Sequence, residues 1–181
     1  MYIKNFIGHF MTITRHRHEV IKNCARVGIL CQGLRHDLSK YSPREFFQGV
    51  KYYSGTKSPN DGARVELGYS SAWMHHKGRN LHHFEYWTDY DPNTRRVTPV
   101  KMPLKYVAEM FCDRVAASKI YMKESYNDAS PLNYFLGGEK VRDIHGETSE
   151  LIEHFLRVLA EQGEESAFKY VKEYLRTHDD Y

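Results

Sequence analysis

The chain has 181 residues, with 26 Lys and Arg against 23 Asp and Glu and a formal net charge of +3. That length suits one domain, and 14 Tyr, 9 Phe and 2 Trp can furnish a real core. The basic residues are scattered, with short clusters only at Arg15–Arg17 and Arg95–Arg96, which argues against a nucleic-acid-binding stripe.

No stretch approaches the roughly 20 apolar residues of a bilayer span; the longest obvious run is Val27-Gly28-Ile29-Leu30-Cys31. Met1 to Phe10 lacks a charged head, an apolar block and a cleavage site, so no signal peptide is expected. Cys24, Cys31 and Cys112 are odd in number and lack Cys-x-x-Cys spacing. They read as reduced, buried thiols of a cytoplasmic protein. The unusual count is eleven His, seven of them in three clusters: His16/His18, His36, and His75/His76/His82/His83.

Phe6, Phe10, Ile13, Arg17, Val20, Cys24 and Val27 recur at steps of three and four, which predicts a helix over residues 3–27. Gly28 suits the position after its end, where a left-handed residue is favoured. A second helix is expected from Ile29 to Lys40. Ser42-Pro43-Arg44-Glu45 is a strong helix start, with Ser42 and Glu45 forming a capping box. That helix should reach Tyr53. Residues 54–62 read as a loop, 63–77 as a helix broken at Gly78, and 79–87 as a short aromatic helix.

Residues 88–101 carry Pro92 and Pro99 and read as a loop or small hairpin. Asp89-x-Asp91-x-Asn93 resembles the opening of a calcium loop, but Thr94 and Val100 stand where Gly and the bidentate Glu are required, so that reading is rejected. Pro103 opens a long helix to Lys123. Short helices follow over 131–137, 148–162 and 164–176. The expected fold class is all-α.

The stretch that organises the chain is Gly33-Leu34-Arg35-His36-Asp37-Leu38-Ser39-Lys40. Neighbours on a helix point about 100° apart, so one ion lying between them can take an imidazole nitrogen and a carboxylate oxygen. His18 lies 18 residues before His36, and the midpoint is residue 27, beside the stop at Gly28. A reversal there sets His18 opposite His36 at helix-packing distance. A register error of one residue would exchange faces, and His16 is then the substitute.

Asp113 interrupts an apolar stripe of Tyr106, Met110, Ala117 and Ile120. A carboxylate there needs a partner, either an ion or a buried Arg such as Arg35 or Arg79. His75, His76, His82 and His83 flank Gly78 and Arg79 and are candidates for a second ion or a phosphate. Solvent-facing histidines packed on Trp73, Tyr86 and Trp87 are the plainer alternative.

This set resembles the HD-domain metal-dependent phosphohydrolases: a His on one helix, a His-Asp pair on a later one and a distant Asp. Carried onto this chain, that gives His18, His36-Asp37 and Asp113, with His36-Asp37-Leu38-Ser39-Lys40 similar to the HDxGK version but with Ser39 in place of Gly. The chain is also similar to an uncharacterised bacterial and phage family with the pattern His36-Asp37-Leu38-Ser39-Lys40-Tyr41-Ser42-Pro43-x-Glu45-Phe46 and, later, His75-His76-Lys77-Gly78-Arg79-Asn80-x-His82-His83-x-Glu85-Tyr86-Trp87. Eighteen residues between the first His and the His-Asp pair is short for the superfamily.

The resemblance implies an HD-like helical bundle over residues 1–128, with a C-terminal helical extension over 129–181 packed on the same domain. It implies a divalent transition metal (Zn, Mn, Fe, Co or Ni) and hydrolysis of a nucleotide or another small phosphorylated molecule by an activated water. Asp37 would hold the ion and orient the water. Lys40 and Arg79 would neutralise phosphoryl charge, and His76 or His83 would protonate the leaving oxygen. The rivals are a non-catalytic metal- or nucleotide-binding sensor, a nucleic-acid-acting protein stacking bases on Tyr52-Tyr53 and Tyr86-Trp87, and a purely structural role for the His-Asp cluster. A homo-oligomer is compatible with all of them.

Overall fold

The computed structural model describes residues 2–138 and 142–181. Eight α-helices dominate these residues: α1 (Tyr2–Val27), α2 (Leu30–Arg35), α3 (Pro43–Lys51), α4 (Pro59–Leu67), α5 (Ser71–Lys77), α6 (Leu104–Met122), α7 (Ser130–Gly137) and α8 (Gly146–Thr177). The expected hairpin is present as β1 (Thr88–Asp91) and β2 (Arg96–Pro99), antiparallel, with Tyr90 opposite Val97. No described helix is long and apolar enough to cross a membrane.

The chain reverses at Gly28 as expected. Gly28 adopts φ +89°, and the Ile29 N–H reaches back to the Cys24 carbonyl at 2.9 Å, a glycine-terminated helix end that satisfies a free carbonyl. α2 then returns along α1. Their approach depends on Gly33, because a Cβ at that position would lie 2.7 Å from the Cys24 Cβ.

The second predicted helix is shorter than expected. It stops at Arg35, and His36 is extended at φ −52°, ψ 130°. Asp37 is left-handed at φ 55° and opens a 3₁₀ turn over Leu38–Tyr41. The break has a visible cause: Arg17 of α1 donates to the carbonyls of Leu34 and His36, satisfying acceptors that a continuing helix would have used.

Two other expectations change. The helix predicted over 63–77 is two, because α4 begins at Pro59 behind the cap of Ser58 and ends at a left-handed Gly68. The aromatic segment 79–87 is a string of turns with a 3₁₀ turn over Phe84–Tyr86, pinned by the Trp87 indole donating to the Leu81 carbonyl at 2.8 Å. The predicted pair 148–162 and 164–176 is present as α8, whose two halves meet at a non-helical Gly163.

The core lies between α1, α6 and α8. Val20, Cys24, Phe111, Val115, Phe155 and Phe168 are all but fully buried within one cluster. Phe135 of α7 belongs to it too, so the C-terminal helices complete the core that α1 and α6 begin. A smaller cluster of Ile13, Phe46 and Val50 joins α1 to α3. Cys24 and Cys112 are buried as expected, whereas Cys31 is exposed on α2; none is in a disulfide.

Candidate metal centre

Five segments converge on Asp37. α1 brings His16, the α2 terminus brings His36, α5 brings His76, the following turns bring His82 and His83, and α6 brings Asp113 and Glu109.

One group consists of His16, His36, Asp37 and Asp113. His16 Nε2 lies 3.0 Å from Asp113 Oδ1 and 3.6 Å from Asp37 Oδ2. His36 Nε2 lies 3.3 Å from Asp37 Oδ2 and 3.5 Å from Asp113 Oδ1. A second group consists of Asp37, His76, His82 and His83. Here the other carboxylate oxygen is used: Asp37 Oδ1 is 3.1 Å from His76 Nε2 and 3.6 Å from His82 Nε2. Asp37 therefore stands between the two groups with one oxygen toward each.

The left-handed backbone makes this placement. A helical His36-Asp37 pair would splay its side chains; instead the extended His36 and the turned Asp37 bring them together. The non-glycine positive φ is a strained conformation that Asp tolerates better than most residues.

The partners behind the imidazoles fix which nitrogen faces inward. Glu109 Oε1 accepts from Nδ1 of His36 at 2.9 Å and lies 3.3 Å from Nδ1 of His82. Its Oε2 accepts from Gln32 Nε2 at 2.8 Å. Glu45 takes Nδ1 of His76 at 2.8 Å and Nδ1 of His75 at 2.6 Å. Asn80 closes the arrangement by donating to the Ser39 hydroxyl and the His76 carbonyl. Carboxylates behind ligand imidazoles are the usual way to orient them and raise their basicity.

The residues fit a metal. Nε2 of His16, His36, His76, His82 and His83 and Oδ1 of Asp37 are buried without a satisfactory hydrogen bond, and Asp37 Oδ2 has the Lys40 ammonium beside it. Leaving that many buried polar atoms unpaired is expensive unless an ion takes them. Within each group the donor atoms lie within 4.8 Å of one another. Two donors on opposite sides of an ion are about 4.4 Å apart, so small side-chain movements close either group. Mixed imidazole and carboxylate donors suit a divalent transition metal.

Charge follows the same layout. Burial alone would raise the pKa of Asp37, but His36, Lys40 and His76 outweigh it and hold the carboxyl well below its ordinary value. Asp113 is likewise held low against burial by His16 and His36. Glu109, also opposed by burial, falls to about 2 through its bonds to His36 and His82. Burial and the neighbouring His82 and His76 push His83 well below 6.5, so it is a neutral imidazole at neutral pH.

Several expected site residues are corrected. His18 is exposed and faces Arg15, Glu19 and Lys119 on the surface; His16 takes its place opposite His36. Extended residues rise about 3.3 Å against 1.5 Å in a helix, so the stretched His36 reaches further toward the start of α1 than a helical count allows. Arg79 is exposed, bonded to the His75 carbonyl at 3.3 Å, and stands outside the centre. Asp113 pairs with neither Arg35 nor Arg79; its partners are His16 and His36.

His75 supports Glu45 and belongs to neither group. His76 has Nδ1 on Glu45 and Nε2 beside Asp37, which leaves no nitrogen for a leaving oxygen. A neutral His83 cannot donate a proton as imidazolium. Both stand among the donor atoms that could hold an ion.

Glu109 and Glu45 join the site although no sequence motif marks them as part of it. The local pattern makes Glu45 half of a capping box, but Ser42 makes no side-chain cap and Glu45 is turned inward. Glu109 lies four residues before Asp113, one helical turn away on the same face, and that spacing was the available signal.

A small open cleft of about 70 Å³ adjoins the centre, with Lys40, His76 and Glu45 in its lining and Tyr53, Lys57 and Tyr121 also along it. Lys40 Nζ also sits 2.5 Å from Asp37 Oδ2. Burial opposes its charge, but Asp37 and Asp113 raise its pKa, so it stays an ammonium.

No curated protein and no solved structure matches the sequence. A family of unknown function, DUF5662, matches residues 5–158, a span that includes every residue of both groups. With most of its length and the whole centre inside that match, the chain belongs to DUF5662.

Proposed function

We propose that the chain is a metal-dependent phosphohydrolase of the HD type, acting on a nucleotide or another small phosphorylated molecule. The observation that carries this reading is the division of Asp37 between two imidazole-rich groups, one oxygen to each. His16, His36, Asp37 and Asp113 would hold one cation, and Asp37, His76, His82 and His83 a second. Paired divalent cations supply Lewis acidity toward phosphoryl oxygens and lower the pKa of water toward neutrality.

The remaining work falls to the chain. Glu109 and Glu45 keep the imidazoles turned inward. Lys40 carries its positive charge from the centre into the cleft, where it neutralises phosphoryl oxygens. The leaving group lies on the cleft side. Proton donors lining that side include Lys40, Tyr53, Lys57 and the Tyr121 phenol, whose pKa burial raises so that it keeps its proton.

The test is phosphate release. Protein purified without a polyhistidine tag is analysed for metal, loaded with Mn, Zn, Fe, Co or Ni in turn, and assayed against nucleotides and sugar phosphates, with Asp37→Asn as control. Turnover by the loaded protein and not by the variant supports the reading. Full metal occupancy with tight nucleotide binding and no turnover would replace it with the sensor reading. Steeply salt-dependent binding of DNA or RNA would replace it with the nucleic-acid reading.

A further inference from the structure

The first half of α1 has two faces. Phe6, His9 and Ile13 turn inward: Phe6 meets the Phe46 ring at 4.9 Å, and His9 covers Gly49 so closely that a Cβ there would strike the ring. Ile3, Ile7 and Phe10 recur at intervals of four and three, the spacing of a helix-pairing seam; Phe10 is its inner border, where the ring also meets Tyr41 and Phe46. Ile3 is 76% exposed, Ile7 57% and Phe10 44%. Met11 at 42% and Tyr2 at 60% flank them, and Phe47 of α3 adds an exposed ring.

We propose that this seam is a homodimer interface in which α1 pairs with α1 of a second copy about a twofold axis. Three observations select that occupant. First, Lys4 is the single Lys, Arg, Asp or Glu among residues 2–14, so the α1 seam offers almost no charge for a partner of opposite sign and almost none to repel its own copy, the nearest basic residues of α3, Arg44 and Lys51, lying beside Phe47 at its edge. A twofold interface must be complementary to itself, and an apolar helical seam is.

Second, the area is sufficient. At roughly 150–250 Å² for a large side chain, the exposed fractions of the six apolar residues sum to the order of 600–700 Å² per chain, close to the ~800 Å² per partner of a stable interface. Third, the chain exposes 10562 Å², whereas a monomer of 21.4 kDa is expected to expose about 9,100 Å². The exposed apolar residues of the first half of α1 contribute to that excess, and burying them removes a little under half of it.

The experiment is sedimentation of the full chain across the micromolar range, parent beside Ile7→Glu and Ile3→Ser. The parent should sediment at twice the chain mass. Ile7→Glu should halve it and Ile3→Ser should weaken the dimer, both with the parent's helical circular dichroism. If Ile7→Glu loses helix content, the milder Ile3→Ser decides. A monomeric parent at all concentrations overturns the proposal, as does a dimer that both folded variants leave intact. A monomeric parent that cosediments with phosphatidylcholine–phosphatidylserine vesicles would assign the seam to a lipid surface instead. None of these outcomes depends on phosphate release, so the interface and the hydrolase reading stand or fall separately.

Discussion

Glu109 Oε1 receives the Nδ1 proton of His36 at 2.9 Å between α2 and α6. That one contact dictates that His36 presents Nε2 to Asp37 and Asp113, and the same oxygen stands behind His82 of the other group. Glu109→Gln keeps the volume but offers a neutral amide in place of an anion. Losing an outer carboxylate of this kind reduces metal affinity about 10–100-fold. Competition against a chromophoric chelator should show weaker binding at both ions with little loss of helix. Parent affinity in the variant would mean that the imidazoles need no anchor.

Asp113 separates a metal ligand from a plain buried ion pair. Its carboxylate lies among His16, His36 and Asp37, within reach of a shared ion. Asp113→Asn should abolish tight binding at the first group, and chelator should then lower the melting temperature of the parent far more than that of the variant. His16→Ala should behave in the same way, whereas His18→Ala should retain parent metal content. Equal metal in His16→Ala and His18→Ala would contradict the assignment of His16.

Gly33 controls the centre from outside. A methyl there meets the Cys24 Cβ at 2.7 Å and the Ile21 backbone at 3.2 Å. Alanine in a helix ordinarily gains up to about 1 kcal/mol over glycine, but overpacking of this kind costs about 1–3 kcal/mol. The clash wins, so Gly33→Ala should be destabilised in denaturant titrations. The push on α2 should also move His36 off Glu109 and weaken metal binding. A variant as stable as the parent, or more so, would show that the two helices have room to separate.

His9 gives a pH signature away from the ligands. Burial, with the Lys40 ammonium adding to it, lowers its pKa from 6.5 to about 4. The unfolded chain, with an ordinary histidine, therefore takes up the proton first as pH falls. The folded state loses stability as pH drops through 6.5, and the loss levels off near pH 4. His9→Gln lacks this slope. The stability difference between parent and variant should shift against the parent between those two pH values; a difference that stays constant would show His9 titrating normally.

The sequence and the fold agree where local chemistry decides. Gly28, Pro43, Pro103 and the stripes of α1 and α6 announce their helices, and the reversal at Gly28 puts His16 within reach of His36 as the substitute register anticipated. The choice between His16 and His18 was not legible, because it turns on two backbone angles after Arg35 that follow from Arg17 capping α2 across a tertiary contact. Glu45 deceived for a related reason. Its local pattern is a capping box, yet two histidines some thirty positions later bind its carboxylate more strongly than the helix start does. Local signals predict where helices begin; they are silent on which distant group claims a side chain.

The two ligand groups differ in how far along the chain they are gathered. His76, His82 and His83 are near neighbours in sequence, while His16 and Asp113 meet only after α1 and α6 have packed. A nascent or denatured chain thus already carries a histidine-rich segment able to seize transition metal before any helix docks. Ion held by the unfolded state subtracts from the stabilisation that the folded centre confers. The productive order is collapse first and metal last, and refolding under chelation, with the ion added at the end, should recover more native protein than refolding with the ion present throughout.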